Sequence, residues 1–543
     1  MKLITAVLAA FLPLMASAQM PLIEVSESDE PMMTGKYAPD WESLSQYEVP
    51  EWFRDAKFGM WAHWGPQCVE GSGDWMARSL YIEGSPQYKH HVENYGHPSE
   101  FGFKDILPLF KAENWNPDYI VGLYKELGAR YFFVLGNHHD NFDLWDSRYQ
   151  EWNSMNIGPK RDILKEWADA CRKHGLKFGV SLHADHAWTW YEPARRYDRN
   201  GPRMGVRYDG LSTKEDGAGK WWEGLDPQNL YAQNHPESEG SWADGMIHSQ
   251  WAWGNGAAAP SREFCTNFYN RTLDVINRYN PDLLYFDVTG VPFYPISDAG
   301  LKIAAHFYNH NIATKPEFSA VMFGKILTDE QKESLVWDVE RGAPNSISDK
   351  PWQTCTCIGD WHYNNGTYAN DHYKSAVQVI RLLADVVSKN GNLLLNVPLR
   401  SDGTFDEKEE KIIREIGDWI KVNGEGIYST RPWLKFGEGP IAEADIAINS
   451  QGFNEGAYLN AGSDEIRFTQ TSKYLYAIVL DWPEGNAVKI KTLAKGNDNL
   501  KKIRGVELLG YGKVKHSQRA DGLYITMPKT AKRGLSPVFK IIK

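Results

Sequence analysis

Cysteine is scarce: Cys68, Cys171, Cys265, Cys355 and Cys357 are the only five in 543 residues. So few, and an odd number, exclude a disulfide framework as the source of the fold. Cys355 and Cys357 are two apart, so on a strand they point to one face; they read as small buried hydrophobes. Basic clusters are also missing, and the net charge is −11. Phosphate binding needs grouped Lys and Arg, so nucleic acid is excluded as a partner. Neither HExxH nor a Cys/His zinc spacing occurs, and no cofactor or metal is expected. Beyond the first twenty residues no apolar run is long enough to cross a bilayer, so no membrane insertion is expected.

The N-terminus reads MKLITAVLAAFLPLMASAQ. Lys2 supplies a positive start, Ile4–Leu14 an apolar stretch, and Ala16-Ser17-Ala18 a small-residue cleavage site before Gln19. That is the pattern of a secretory signal over 1–18. No Cys follows the cleavage site, which argues against a lipid anchor. The mature chain is expected to be exported and soluble, in a periplasm or outside the cell, or lysosomal in a eukaryote.

Aromatic residues are plentiful at 13 %, with 22 Trp and 27 Tyr. Flat rings suit a cleft that stacks on the C–H face of a sugar, and they equally suit an aromatic core. Five stretches, KFGMWAHWG (57–65), RYFFVLGNHHD (130–140), LKFGVSLHADH (176–186), DLLYFDVTG (282–290) and SLVWDVERG (334–342), share one design. Each is an apolar run that ends in polar, mostly ionisable residues. Buried parallel strands read as continuous apolar runs, and barrel enzymes carry catalytic groups where such strands end. Helical patterns separate them, at 116–130, 161–175, 264–279, 297–310, 372–389 and 405–424. Further strands are expected near 318–323, 354–359 and 392–398, which makes eight. The fold class is therefore α/β, a (β/α)8 barrel.

At this length a second domain is expected. Residues 19–45 read as an arm, and 46–430 as the barrel. Beyond 430 the helical pattern gives way to short alternating segments at 465–472, 474–482, 487–494, 506–512, 523–528 and 538–543, separated by turn residues. They predict an antiparallel β-sandwich over 431–543 that supports the barrel. The connection 187–262 is rich in Gly, Asp and Trp and fits no plain βα unit. A connection of that length is usually functional or disordered, and so much Trp favours packing over the barrel mouth.

Six collinear fragments then carry a resemblance. WFRDAKFGMWAHWGP (52–66), GNHHDNFDLWDS (136–147), YFDVTG (285–290), PWQTCTCIGDWHYN (351–364), SKNGNLLLNVPLRSDGTF (388–405) and IGDWIKVNGEGIYST (416–430) occur in that order. Together they resemble the α-L-fucosidases of glycoside hydrolase family 29. The resemblance spans roughly 50–430 and implies the same barrel and C-terminal sandwich.

Retaining glycosidases use two carboxyl groups, a nucleophile and an acid/base. Asp287 ends an apolar strand, where an Asp also commonly caps a turn; the resemblance implies that it is the nucleophile. Glu340, in VWDVERG, is the candidate acid/base. Asp338 is its rival on the same face, and Glu340 paired only with Arg341 would be a structural ion pair. Some members carry Glu where this chain has Gln353, which cannot serve. A general acid must hold its proton at the working pH, which burial or a neighbouring carboxylate achieves.

The resemblance also implies that His63, His138 and His139 bind sugar hydroxyls, and a neutral His both donates and accepts. His138-His139-Asp140 invites a metal reading too, opposed by the divergence of adjacent side chains on a strand. Asp74-Trp75 matches an acidic–Trp pair that touches the sugar, with Asp for the commoner Glu. His183, with His186, stands where many relatives have Tyr, and Tyr285 where many have Trp. The expected activity is a metal-independent, retaining exo-α-L-fucosidase acting on a fucosylated oligosaccharide or glycan. The alternatives are an α-L-galactosidase, a sugar-binding barrel without catalysis, and a metal-assisted hydrolase.

Overall fold

Eight parallel strands close into a barrel: β1 (Phe58–Ala62), β2 (Tyr131–Asn137), β3 (Lys177–Leu182), β4 (Leu283–Tyr285), β5 (Val321–Gly324), β6 (Val336–Glu340), β7 (Trp352–Cys357) and β8 (Gly391–Asn396). β1 pairs with both β2 and β8, which closes the ring. This computed structural model describes residues 22–26, 29–240, 253, 256–449, 451–496 and 503–543. The secretory signal expected over 1–18 lies outside them, as do Trp242 and Trp251 of the long connection.

The strands are apolar throughout because helices cover their outer face and side chains fill the interior. An aromatic column occupies that interior. Phe133 lies 5.7 Å from Phe323 and 6.2 Å from Tyr131, ring centre to ring centre. Above them Trp61 meets Tyr285 edge-on at 4.8 Å. Gly59 makes the column possible: a Cβ there would lie 2.3 Å from the Tyr131 ring. Most of the aromatic excess is therefore core, with Trp64, Trp145, Trp152, Trp167 and Trp352 also fully buried.

Three strands differ in extent from the sequence pattern. β5 starts at Val321 rather than 318, because β4 is only three residues long and its first residue pairs there. β7 ends at Cys357 rather than 359, where its pairing with β8 stops. β8 ends at Asn396, whose side chain turns to accept from His63.

Six helices form near the expected positions, including Ile163–His174 and Glu407–Asn423. The first is capped by Asp162, which accepts from Lys165 N, and stops at Gly175 in the left-handed conformation. The arm lies along helix Ala299–Thr314, with Met33 N donating to His306 Nδ1 and Tyr37 N to Asn309 Oδ1.

The described part of the long connection forms short helical turns beside the barrel mouth. Tyr81 Oη, Tyr231 Oη and Lys104 Nζ all donate to Asp209, which pins it down. Trp188 stacks on His235, and the Trp190 ring sits 5.6 Å from that of His139.

The C-terminal region holds β9 (Arg431–Glu438), β10 (Ile466–Gln470), β11 (Tyr474–Val479), β12 (Ala487–Ile490), β13 (Gly505–Leu508), β14 (Gly512–Lys513), β15 (His516–Arg519), β16 (Gly522–Thr526) and β17 (Val538–Ile542). They form a six-stranded sheet, β14-β13-β17-β11-β10-β9, and a three-stranded sheet, β12-β16-β15. All pairings are antiparallel. Phe468 and Phe539 of the first sheet share a core with Ile490 and Leu523 of the second. β9 and β15 escape the alternation test, since both are largely unburied. The domain docks on helix Ala376–Ser388 through Arg467, which is fully buried and donates to Asp385 at 2.6 Å.

Candidate active site

A cavity of about 420 Å³ opens at the C-terminal ends of the barrel strands. Its floor is the top of the aromatic column, Trp61 and Tyr285. Asp287, Glu340, His63, Asp74, Trp75, His138, His183 and Tyr285 all line it. His139 stands one layer behind, fully buried, with Nε2 3.4 Å from Asp287 Oδ2. Residues from β1, β2, β3, β4 and β6 and the loop after β1 thus converge as the sequence predicted.

One feature at the centre was not predicted. Lys325, directly after β5, is buried and reaches both candidate carboxylates. Its Nζ donates to Asp287 Oδ1 and, at 2.6 Å, to Glu340 Oε2. Two oxygens that share one donor are no more than about 5 Å apart. Burial alone would raise the Asp287 carboxyl, but the Lys325 charge and then the His139 hydrogen bond outweigh it and hold it well below the ordinary carboxylate value. Burial works against the Lys325 ammonium as well, yet Asp287 and Glu340 keep it charged, well above its usual value.

The rival Asp338 is buried inside the barrel and does not line the cavity. Its oxygens accept from Gln353 Nε2 at 2.8 Å, Cys355 Sγ at 3.1 Å and Tyr285 Oη at 3.3 Å. Burial pushes it up to about 6. Nor is Glu340 held by Arg341, which turns away to Glu455 at 2.8 Å.

The histidines are arranged to meet hydroxyl groups. Burial, followed by neighbouring imidazoles, drives His63 and His138 well below their usual value. Burial does the same to His183. All three are therefore neutral at pH 7, each with one donor and one acceptor. One nitrogen of each is already engaged: His63 Nδ1 with Asn396 Oδ1, His138 Nδ1 with Gln67 Nε2, His183 Nε2 with Ser181 Oγ. Fixing one nitrogen fixes the ring and leaves the other for a ligand. Asp74 does not act alone, since it accepts from His362 Nδ1 at 2.7 Å. His362 Nε2 is buried and has no hydrogen-bond partner among the described residues.

The divergence argument against a metal fails here. His138 and His139 follow the last residue of β2, so strand alternation does not govern them. Ligand atoms of His138, His139 and His183 lie within 4.8 Å of one another, as do those of Asp74, His138 and His362. Lys325, Trp361, His362, Gln451 and Phe453 were not singled out from the sequence. Trp361 and His362 lie in the GDWHYN stretch, whose aromatic and imidazole pair after a strand was the available signal. Gln451 and Phe453 come from between β9 and β10, a region with no period to read.

Comparison with known proteins agrees with the geometry. The alpha-L-fucosidase family model matches residues 24–425, and the alpha-L-fucosidase C-terminal domain model matches 460–541. The chain is 25 % identical to the tissue alpha-L-fucosidase of Homo sapiens over 91 % of its own length and 88 % of that protein. It is 26 % identical to an alpha-L-fucosidase of Branchiostoma floridae, with 84 % of each chain covered. Among solved structures, the Thermotoga maritima alpha-fucosidase in complex with fucose superposes with a TM-score of 0.65 at 26 % identity, over 93 % of this chain and 100 % of that one. A barrel with paired carboxylates at its mouth, an antiparallel C-terminal domain and these matches have one reading: the chain belongs to the α-L-fucosidases of glycoside hydrolase family 29 and is a glycoside hydrolase.

Proposed function

We propose that this protein is a retaining exo-α-L-fucosidase that releases terminal L-fucose from glycans, with Asp287 as nucleophile and Glu340 as acid/base. The observation that carries this reading is the shared contact of both carboxylates with Lys325. A separation of about 5–5.5 Å suits a nucleophile and an acid/base, whereas inverting enzymes need about 6.5–9.5 Å to admit a water. Asp287, ionised by its neighbours, attacks the anomeric carbon while Glu340 protonates the departing oxygen. Water then enters, Glu340 takes its proton, and the glycosyl–Asp287 bond breaks with net retention. The neutral histidines hold the sugar hydroxyls throughout. The aromatic floor closes the cavity from below, so a glycan enters by its terminal residue, which supports exo action.

The test is hydrolysis of paired aryl α-L-fucoside and aryl α-L-galactoside. Fucose carries a methyl where galactose carries CH2OH, and an apolar contact of that kind discriminates about 10–200-fold. A higher kcat/KM on the fucoside supports the reading, and a higher one on the galactoside replaces it. Sugar binding without turnover of either would leave a binding protein.

The clustered ring nitrogens favour one rival, a metal-assisted hydrolase. Dialysis against EDTA separates the two. Full retention of activity is expected, whereas loss restored by a divalent ion would put a metal in the mechanism. We further propose export by the N-terminal signal. The mass of the exported chain is expected to begin at Gln19.

A further inference from the structure

Glu340 is gripped from the C-terminal domain. Its backbone N donates to Gln451 O at 2.9 Å, and its O accepts from Phe453 N at 2.8 Å. Gly452 thereby pairs with Glu340 as an extra parallel bridge beyond β6. The approach is close: a Cβ on Gly452, at φ +136°, would lie 2.0 Å from Glu340 O. Two further ties secure the segment, Glu455 N to Arg341 O at 2.8 Å and Ala343 N to Asn454 Oδ1 at 2.9 Å. These residues lie between the two stretches that match the family.

Two side chains of this segment, Gln451 and Phe453, line the cavity. Gln451 Nε2 donates to Glu340 Oε2 at 3.1 Å, the oxygen that also accepts from Lys325 Nζ. With two donors on Oε2, a proton on Glu340 resides on Oε1 and is aimed by that constraint. Phe453 also lines the cavity, yet it is 49 % exposed and sits at φ +61°. Ile326, next to Lys325, repeats the combination: 37 % exposed, φ +53°, lining the same cavity. Positive φ is unusual for a bulky side chain and persists where the surrounding structure imposes it, often at binding sites. Here it turns two apolar side chains toward solvent at the rim of the cavity.

We propose that Gln451 and Phe453 build the leaving-group side of the active site: Gln451 is a positioning residue that orients Glu340, and Phe453, with Ile326, receives the C–H face of the pyranose to which the fucose is attached. This rests on the fucosidase reading above. Stacking of a sugar face on a ring is the chemistry that such an apolar rim offers.

α-L-Fucosyl fluoride has no ring to stack and leaves without a proton, so it bypasses both roles while still needing Asp287. Phenyl α-L-fucoside needs both. Phe453→Ala is expected to lower the ratio of kcat/KM on the phenyl fucoside to kcat/KM on the fluoride by about tenfold, mainly through KM on the glycoside. Gln451→Leu is expected to lower the same ratio through kcat, with KM on the phenyl fucoside little changed. Gly452→Ala, which pushes the segment off Glu340, should act like Gln451→Leu. Equal slowing of both substrates, or an unchanged ratio, overturns the proposal. A wild type that cleaves neither substrate overturns the fucosidase reading itself.

Discussion

Asp287→Gly should lose on the order of 10⁴-fold or more in kcat on an aryl α-L-fucoside, the scale seen when an essential nucleophile is deleted. The variant removes the carboxylate and leaves its surroundings: the Lys325 ammonium and the His139 ring remain at the site. A small anion is drawn into that space, and azide can attack the anomeric carbon where Asp287 would have. Restored turnover that yields β-L-fucosyl azide is the expected result. An active variant without azide would remove Asp287 from the role, because no other described carboxylate shares its position between Lys325 and His139.

Lys325→Met should cost roughly 10²–10³-fold in kcat/KM, the size of effect from deleting one preorganised charged contact in a water-poor site. Its signature is the pH profile. Asp287 is held well below its usual value by Lys325, against burial. Without the cation, burial favours the protonated form, so the Asp287 carboxyl rises. At a fixed pH a smaller fraction is then ionised, and the acidic limb of kcat/KM must move to higher pH. A variant that merely packed badly would lose activity with the limb in place.

The barrel was legible because its strands declare themselves twice, as apolar runs and by the ionisable residues that follow. β1, β2, β3, β4 and β6 carry both signals, and each delivers a residue to the cavity. β5 delivers Lys325, yet VMFGKILTDE reads as a strand followed by an ordinary charged loop. A lone Lys after an apolar run is usually solvated; only closure of the barrel, which sets β5 between β4 and β6, shows that it faces two carboxylates. Asp338 and Glu340 illustrate the opposite limit. Alternation places both on one face, and only the third dimension separates the layer filled by Gln353, Cys355 and Tyr285 from the layer that opens to the cavity. The C-terminal contribution was invisible for a topological reason. Gln451 meets Glu340 across 111 residues, through a segment with no strand or helix period of its own.

The central claim is that two carboxylates this close to one another work by double displacement. Proton NMR of the hydrolysis of an aryl α-L-fucoside, followed before mutarotation scrambles the anomers, tests it most directly. Retention predicts that the α-anomer of L-fucose is formed first and the β-anomer grows in later. First appearance of the β-anomer would mean inversion, and would contradict both the covalent role of Asp287 and the reading of its shared contact with Glu340.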